Sequence, residues 1–415
     1  MILKIYKYVS NYFVVFIFIY FLLRLFTSKE TISSIQGKFN FLQKTKRPEG
    51  KLFWINGVSI GEAKSGIIVA DLIKKKYPKS TILFSTSTIS SYNLIKKLNK
   101  NIVLIYSPLD VNFIIKRFIN KWKPDLTIFM ESEIWPNIIN EIKNYGKKYI
   151  ILNGRISQKS YDVWKKLSFF SKKIFPSIYL CAAQDRLSKR RFQSLGIRDV
   201  RLSSNLKFLS DRLTYKKSDY ESLKSQLKNK KIVSLFSSHK DEELFLIDCF
   251  NLLKKKNLFF VIIPRHPKKL DRIKSNLESN KIKYSIRSTK TKIPKDHGFY
   301  IVDSFGELGL FFKLSHISVV GGSLKNSGGH NPMETNSFNC ALIFGKYMQN
   351  FKDIEEKIIK TKSGYKIKDS TELATKILML LENEKIRKKT IKNFKELCFR
   401  ESEKAYSIIK NMVNL

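Results

Sequence analysis

From residue 51 onward the hydrophobic positions follow two alternating rhythms. Short runs rich in Ile, Val, Leu and Phe at 51–57, 81–87, 102–108, 125–132, 147–154 and 178–184 predict strands. Between them, apolar residues recur at three- and four-residue spacing, as in 62–78 and 186–195, and predict helices. A further helix opens near Trp135-Pro136-Asn137, where proline suits the first turn. Strands alternating with helix-length segments imply βαβ units and a parallel sheet.

The rhythm restarts after a charged, helical or linker-like stretch at 208–229. Runs at 231–238, 258–267, 281–286, 298–304, 316–322 and 340–345 predict a second set of strands, and the carboxyl-terminal tail reads as helical. The chain divides accordingly into an N-terminal Rossmann-like domain at 28–210, a second Rossmann-like domain at 211–385, and C-terminal helices at 386–415. The expected fold class is α/β, with two doubly wound halves facing a cleft. In such sheets ligands bind outside the carboxyl ends of the strands.

Ahead of this body, residues 8–23 carry no charge. A full span needs ~17–25 apolar residues, so the stretch is slightly short. Tyr6, Tyr8, Tyr12 and Tyr20 suit the water–lipid boundary, and no small-residue cleavage site follows. Residues 1–27 read as a membrane-anchor helix, either a short span or a monotopic insertion, with the rest of the chain cytoplasmic.

Composition adds limits rather than a function. Lys and Arg number 78 against 35 Asp and Glu, a formal net charge of +43. Such an excess attracts anionic surfaces and substrates, but the lysines are scattered over every segment. A hydrophobic fraction of 43% supplies a large core and excludes a disordered or collagen-like chain. Cys181, Cys249, Cys340 and Cys398 lie far apart, with no histidine at metal-ligand spacing, so a structural zinc site is not expected; no cofactor is expected either.

Five strand-end loops carry candidate chemistry. Asn56-Gly57-Val58-Ser59-Ile60-Gly61-Glu62 places a carboxylate in the first turn of a helix, where the macrodipole favours its ionised form and lowers its pKa. Glu131 and Glu133 lie beside Trp135-Pro136 and suit sugar hydroxyls or acid–base work. Arg265 and His266, between Pro264 and Pro267, form a rigid cationic corner for a phosphate or carboxylate. Gly321-Gly322-Ser323 and Gly328-Gly329-His330-Asn331-Pro332-Met333-Glu334 follow a buried strand and feed a predicted helix start, a ready phosphate site. Glu334 either closes a capping box there or takes ribose hydroxyls. Gly306-Glu307-Leu308-Gly309 ends another strand. The Lys-Ser/Thr of a Walker loop and the G-x-G-x-x-G spacing are both missing.

Taken in order, these loops resemble the 3-deoxy-D-manno-octulosonic acid (Kdo) transferase family of lipid A and lipopolysaccharide biosynthesis. The matching stretches are Trp54–Glu62, Glu131–Asn137, Asn153–Ser157, Ser204–Phe208, Ser238–Glu243, Pro264–Pro267, Gly306–Gly309 and Gly321–Glu334. The resemblance implies a GT-B fold and inverting transfer of Kdo from CMP-Kdo to a hydroxyl of the lipid A precursor (lipid IVA), without a metal. It implies Glu62 as the catalytic base. It also implies that Pro264, Arg265, Phe305, Gly306, Glu307, Asn331, Pro332, Met333 and Glu334 hold CMP. Glu131, Glu133, Arg155, His266, Ser323, Gly329 and His330 are supporting candidates.

The implied partners are CMP-Kdo, the lipid A precursor and the anionic surface of a bacterial inner membrane; no nucleic acid is expected. The chain departs from the family's pattern at Asn56-Gly57, Gly154, Ser204 and Asp241, none of which removes a charged group expected to do chemistry. The residues alone leave two alternatives open. One is another GT-B enzyme using a UDP-sugar; the other is a non-catalytic basic protein on acidic lipid or nucleic acid.

Overall fold

The computed structural model describes residues 2–41, 46–98, 101–209, 213–253, 257–267, 270–289, 293 and 298–413. Two compact units emerge: residues 1–210 with 401–415, and residues 211–400. The change from one to the other falls at 210–212, outside the described residues.

Unit 1 is built on a seven-stranded sheet: β1 (Leu52–Asn56), β2 (Thr81–Thr86), β3 (Val103–Tyr106), β4 (Leu126–Met130), β5 (Lys148–Gly154), β6 (Leu180–Ala183) and β7 (Val200–Leu202). Their order is β3-β2-β1-β4-β5-β6-β7, with parallel pairing throughout. Helices cover both faces, which is why the strand sequences run apolar without alternation. In β1, Leu52 and Trp54 enter one core with Phe118 and Phe129, while Phe53 and Ile55 enter the opposite one with Ala63 and Phe84. Trp54 is fully buried, and its indole N–H donates to Ser85 Oγ at 2.8 Å.

Unit 2 repeats the plan with β8 (Lys231–Ser238), β9 (Leu258–Pro264), β10 (Tyr284–Ile286), β11 (Gly298–Ile301), β12 (Ile317–Val320), β13 (Ala341–Phe344) and β14 (Tyr365–Lys366), in the order β10-β11-β9-β8-β12-β13-β14. The predicted strand segments all contain observed strands. Sequence periodicity misses β7 and β14, and the reason is physical. Both are edge strands of two or three residues carrying a charge, Arg201 and Lys366, as edges exposed to solvent do.

The amino terminus forms two helices, Ile2–Tyr12 and Val14–Phe26, bent by 46°; among the described residues no single helix is long and apolar enough to cross a membrane. The first is stitched to unit 1 by polar side chains. Tyr6 donates to Asp110 Oδ2 at 2.9 Å, Lys7 Nζ to Glu141 at 2.7 Å, and the Asn112 and Phe113 amides donate to Ser10 Oγ and Asn11 Oδ1. The second lays Val14, Ile17, Phe18, Phe21 and Leu25 against Ile35, Phe39, Val111 and Ile114. The opposite faces, including Tyr8, Tyr12, Phe16, Ile19, Leu23 and Phe26, stand exposed.

The helical tail is shared between the units. Helix Glu384–Val413 is continuous, yet its residues from Glu401 belong to unit 1. There Ala405, Ile409 and Met412 are buried in the core that holds Ile55 and Ala63, and Ser204 Oγ donates to the buried Glu401 carboxylate at 2.8 Å. Burying a large aliphatic side chain stabilises by about 1.5–3 kcal/mol. Ending the chain after Arg400 is therefore predicted to lower the unfolding temperature and to raise amide exchange in the helix Ile60–Lys76, while the amides of β8 and β12 keep their protection.

Candidate functional site

In unit 1 the strand order reverses between β1 and β4, which pair directly from Phe53 opposite Leu126 to Asn56 opposite Phe129. Loops leaving two adjacent strands on either side of such a reversal frame a ligand crevice. The loop after β1 carries Glu62, and the loop after β4 carries Glu131 and Glu133. Topology thus brings Glu62 together with two carboxylates 69 and 71 residues further along the sequence.

Glu62 lies in the first turn of the helix Ile60–Lys76, whose N-cap is Ser59. Ser59 Oγ accepts from the Glu62 N–H at 3.3 Å and donates to Glu62 Oε1 at 2.9 Å, while the Val58 N–H donates to Oε2 at 2.9 Å. The sequence expectation of a lowered pKa is corrected. Burial raises it, the nearby Glu131 charge raises it further, and the hydrogen bonds from Val58 and Ser59 pull it back only in part. Glu133 is pushed up to about 7 by burial and by the Glu62 charge, against the indole N–H of Trp135, which donates to it at 2.6 Å. Glu131 is held in a left-handed backbone conformation at φ 58°. Arg155 is half-buried in the turn after β5, the strand next to β4.

Sequence reasoning missed the residues that hold this loop. The Val58 carbonyl accepts from Thr86 Oγ1 at 3.2 Å, Ser91 Oγ at 3.3 Å and Thr88 Oγ1 at 3.5 Å, contributed by the end of β2 and by the N-cap and first turn of the helix Ile89–Lys97. Asn56, a departure from the family pattern, is buried and accepts from Ser85 and Ser107. Isolated Ser and Thr residues carry no sequence signal for such roles.

Unit 2 reverses its strand order between β8 and β12. Gly321 follows β12 so closely against β8 that a Cβ there would lie 2.3 Å from the Phe236 carbonyl oxygen. The return through Gly328 and Gly329, at φ 86° and 75°, brings His330 N–H to the Gly321 carbonyl at 3.0 Å. Beneath this loop lies the fully buried Glu242. Its Oε2 accepts from the amides of His239 at 2.8 Å and Gly322 at 2.7 Å, and its Oε1 from those of Leu324 at 2.9 Å and Lys325 at 3.2 Å. Four donors on one carboxylate make Glu242 the scaffold of the glycine loop, a role its sequence position did not disclose.

Around the loop, Arg265, His266 and His330 lie close enough to interact electrostatically. Pro264 ends β9 buried, and Arg265 and His266 are exposed after it; among the described residues no carboxylate pairs with the Arg265 guanidinium. Phe305 is 74% exposed in the turn after β11, followed by Gly306 at φ 85°. Glu307 is engaged by Arg287, whose Nε donates to it at 2.9 Å, so a structural partner already occupies it.

Two expectations are corrected here. The predicted helix after Asn331 is a four-residue 3-10 turn, Pro332–Thr335, in which Asn331 Oδ1 accepts from the Met333 N–H at 3.2 Å. A turn this short has no macrodipole to hold a phosphate. Met333 is buried and Glu334 half-buried on that turn. Ser323 is also buried and braces the loop from within, accepting from the Gly345 N–H at 2.8 Å. Gly329 is confined by Met348, whose sulfur would lie 2.5 Å from a Cβ.

The family model described as 3-deoxy-D-manno-octulosonic-acid transferase matches residues 33–210. A 3-deoxy-D-manno-octulosonic acid transferase of Rickettsia bellii is 30% identical over 100% of this chain and 98% of its own length. One from Haemophilus influenzae is 29% identical over 86% of this chain and 85% of its own. Among solved structures, a glycosyltransferase from Rickettsia africae covers 88% of this chain and 99% of its own, with a TM-score of 0.60 at 16% identity. A UDP-GlcNAc 2-epimerase from Neisseria meningitidis covers 88% of this chain and 100% of its own, with a TM-score of 0.59 at 11% identity. These two structural likenesses show a shared fold of the GT-B type. Two parallel α/β sheets with their loops at the strand-order reversals, together with identity to the Rickettsia bellii transferase along the whole chain, establish that this protein belongs to the 3-deoxy-D-manno-octulosonic acid transferase family of glycosyltransferases.

Proposed function

We propose that the protein transfers Kdo from CMP-Kdo to a hydroxyl of the lipid A precursor, with inversion at the anomeric carbon and with Glu62 as general base. The observation that carries this reading is the Glu62 carboxylate, fixed at the β1/β4 reversal by two hydrogen bonds and raised in pKa by burial and by Glu131. A carboxylate serves as a base only when ionised, and its strength as a base grows as its pKa rises toward the working pH. Glu62 takes the proton of the acceptor hydroxyl, the hydroxyl oxygen bonds to the anomeric carbon, and the bond to the phosphate oxygen breaks with its electron pair leaving on CMP. Unit 2 holds the donor: the Arg265 guanidinium meets the phosphate, and exposed Phe305 offers a face for the base.

The exposed apolar face of the two amino-terminal helices lies in the plane of the bacterial inner membrane in this reading, with both units cytoplasmic. The polar stitching of Tyr6, Lys7, Ser10 and Asn11 to unit 1 favours an in-plane insertion over a span.

Glu62→Gln is predicted to abolish transfer while CMP binding by calorimetry stays within about twofold; retained transfer rejects the base. Because Glu62 must be ionised, kcat/KM falls as pH drops through its raised pKa. Glu131→Gln removes one cause of that rise and should move the acid limb of the profile to lower pH. Arg265→Ala should weaken CMP binding by roughly tenfold to a hundredfold, the loss of a charge-assisted contact. For the membrane face, Phe16→Asp with Leu23→Asp should reduce cosedimentation with anionic phospholipid vesicles without changing the unfolding temperature; unchanged cosedimentation contradicts the in-plane insertion.

A further inference from the structure

Unit 2 contains two imidazoles joined through their outer nitrogens. His239 Nε2 and His330 Nε2 lie 2.8 Å apart, with ring centroids separated by 5.0 Å and planes inclined by 17°. Two nitrogens at that distance share a single proton, so one ring donates and the other must present a lone pair. Both rings cannot be imidazolium at once, which limits the pair to a charge of +1. Its geometry is built rather than incidental. Glu242 accepts from the backbone N–H of His239 and from that of Gly322, and His330 is tied back to the Gly321 carbonyl. The two rings also flank Gly322: a Cβ there would lie 3.2 Å from the His330 ring and 3.4 Å from the His239 ring.

Charged groups reach the pair from several elements. Arg265 and His266 come from the turn after β9, and the Glu242 carboxylate lies beneath the loop. Burial, reinforced by His239, Arg265 and His266, holds His330 down to about 4, so at neutral pH this ring is the uncharged acceptor. The buried Ser238 hydroxyl, which precedes His239, has no hydrogen-bond partner among the described residues.

We propose that the His239–His330 pair takes up one proton when CMP is held there, answering the charge of the nucleotide phosphate. The proposal rests on the reading that unit 2 binds CMP. In the donor the phosphate is a diester with one negative charge. When its bond to the anomeric carbon breaks, the electron pair stays on the phosphate oxygen and CMP becomes a dianion. The acceptor's proton goes to Glu62; a second proton, taken from solvent water or buffer acid, goes to the imidazole pair and offsets the new charge. An anion beside Arg265 offsets the guanidinium charge that helps suppress the imidazolium and adds a favourable charge of its own. Phosphate binding and proton binding therefore strengthen each other, as linkage requires.

The test is calorimetric titration of CMP into the full chain at pH 7.0, in two buffers of different ionisation enthalpy, which counts protons exchanged on binding. The second ionisation of a phosphate monoester lies near 6, and a cation such as Arg265 beside the bound phosphate lowers it further, so CMP held there loses rather than gains a proton and net uptake comes from the protein. Wild type is expected to take up roughly 0.3 to 1 proton per CMP. His330→Asn should reduce that to near zero. CMP binding to wild type without uptake overturns the proposal, with no variant needed, and so does undiminished uptake in His330→Asn. Failure of wild type to bind CMP at all overturns the donor assignment itself, and this inference with it.

Discussion

Everything at the candidate site depends on the parallel pairing of strands. Parallel ladders force all carboxyl ends of a sheet to one edge, because each strand returns through a helix on a face. Where strand order reverses, two neighbouring loops diverge onto opposite faces and leave a crevice. Unit 1 reverses at β1/β4 and unit 2 at β8/β12. The chemistry-bearing residues of each unit gather at or next to these reversals: Glu62 with Glu131 and Glu133 in one, His239, Glu242 and the paired glycines in the other.

The two crevices are electrostatic opposites. In a chain of net charge +43, unit 1 keeps three carboxylates near one another at the cost of raising the pKa of Glu62 and Glu133. Hydrogen bonds from Val58, Ser59 and Trp135 offset that cost in part. Unit 2 instead gathers Arg265, His266 and the histidine pair about a glycine loop and buries a single carboxylate, Glu242, under backbone amides. A buried carboxylate with four donors is satisfied, and it sets the course of the loop without competing for an anionic ligand at the surface.

Much of the fold was legible because strands covered on both faces are apolar from end to end, and such runs stand out against helical periodicity. The short edge strands β7 and β14 were not legible, since solvent permits Arg201 and Lys366 there. Of the candidate site, the glycines and the strand-end charges could be read from their positions. What could not be read was partnership. Ser323 and Glu307 looked available for a ligand but are engaged within the protein, by Gly345 and Arg287. Glu242, His239 and the hydroxyls of Thr86, Thr88 and Ser91 matter through contacts that only the folded chain creates. The pKa of Glu62 escapes the sequence for the same reason: the helix start is visible there, but the burial of the carboxylate and the nearby Glu131, 69 residues away, are not.

The central claim, that Glu62 is the base, is tested most directly by a crystal structure of the full chain with CMP and a non-reactive lipid A precursor analogue bound together. The account predicts the acceptor hydroxyl within about 2.6–3.2 Å of a Glu62 carboxylate oxygen, the reach that proton transfer requires. A hydroxyl seated instead against another titratable side chain, with Glu62 still bonded only to Val58 and Ser59, would contradict it and reduce Glu62 to a helix cap.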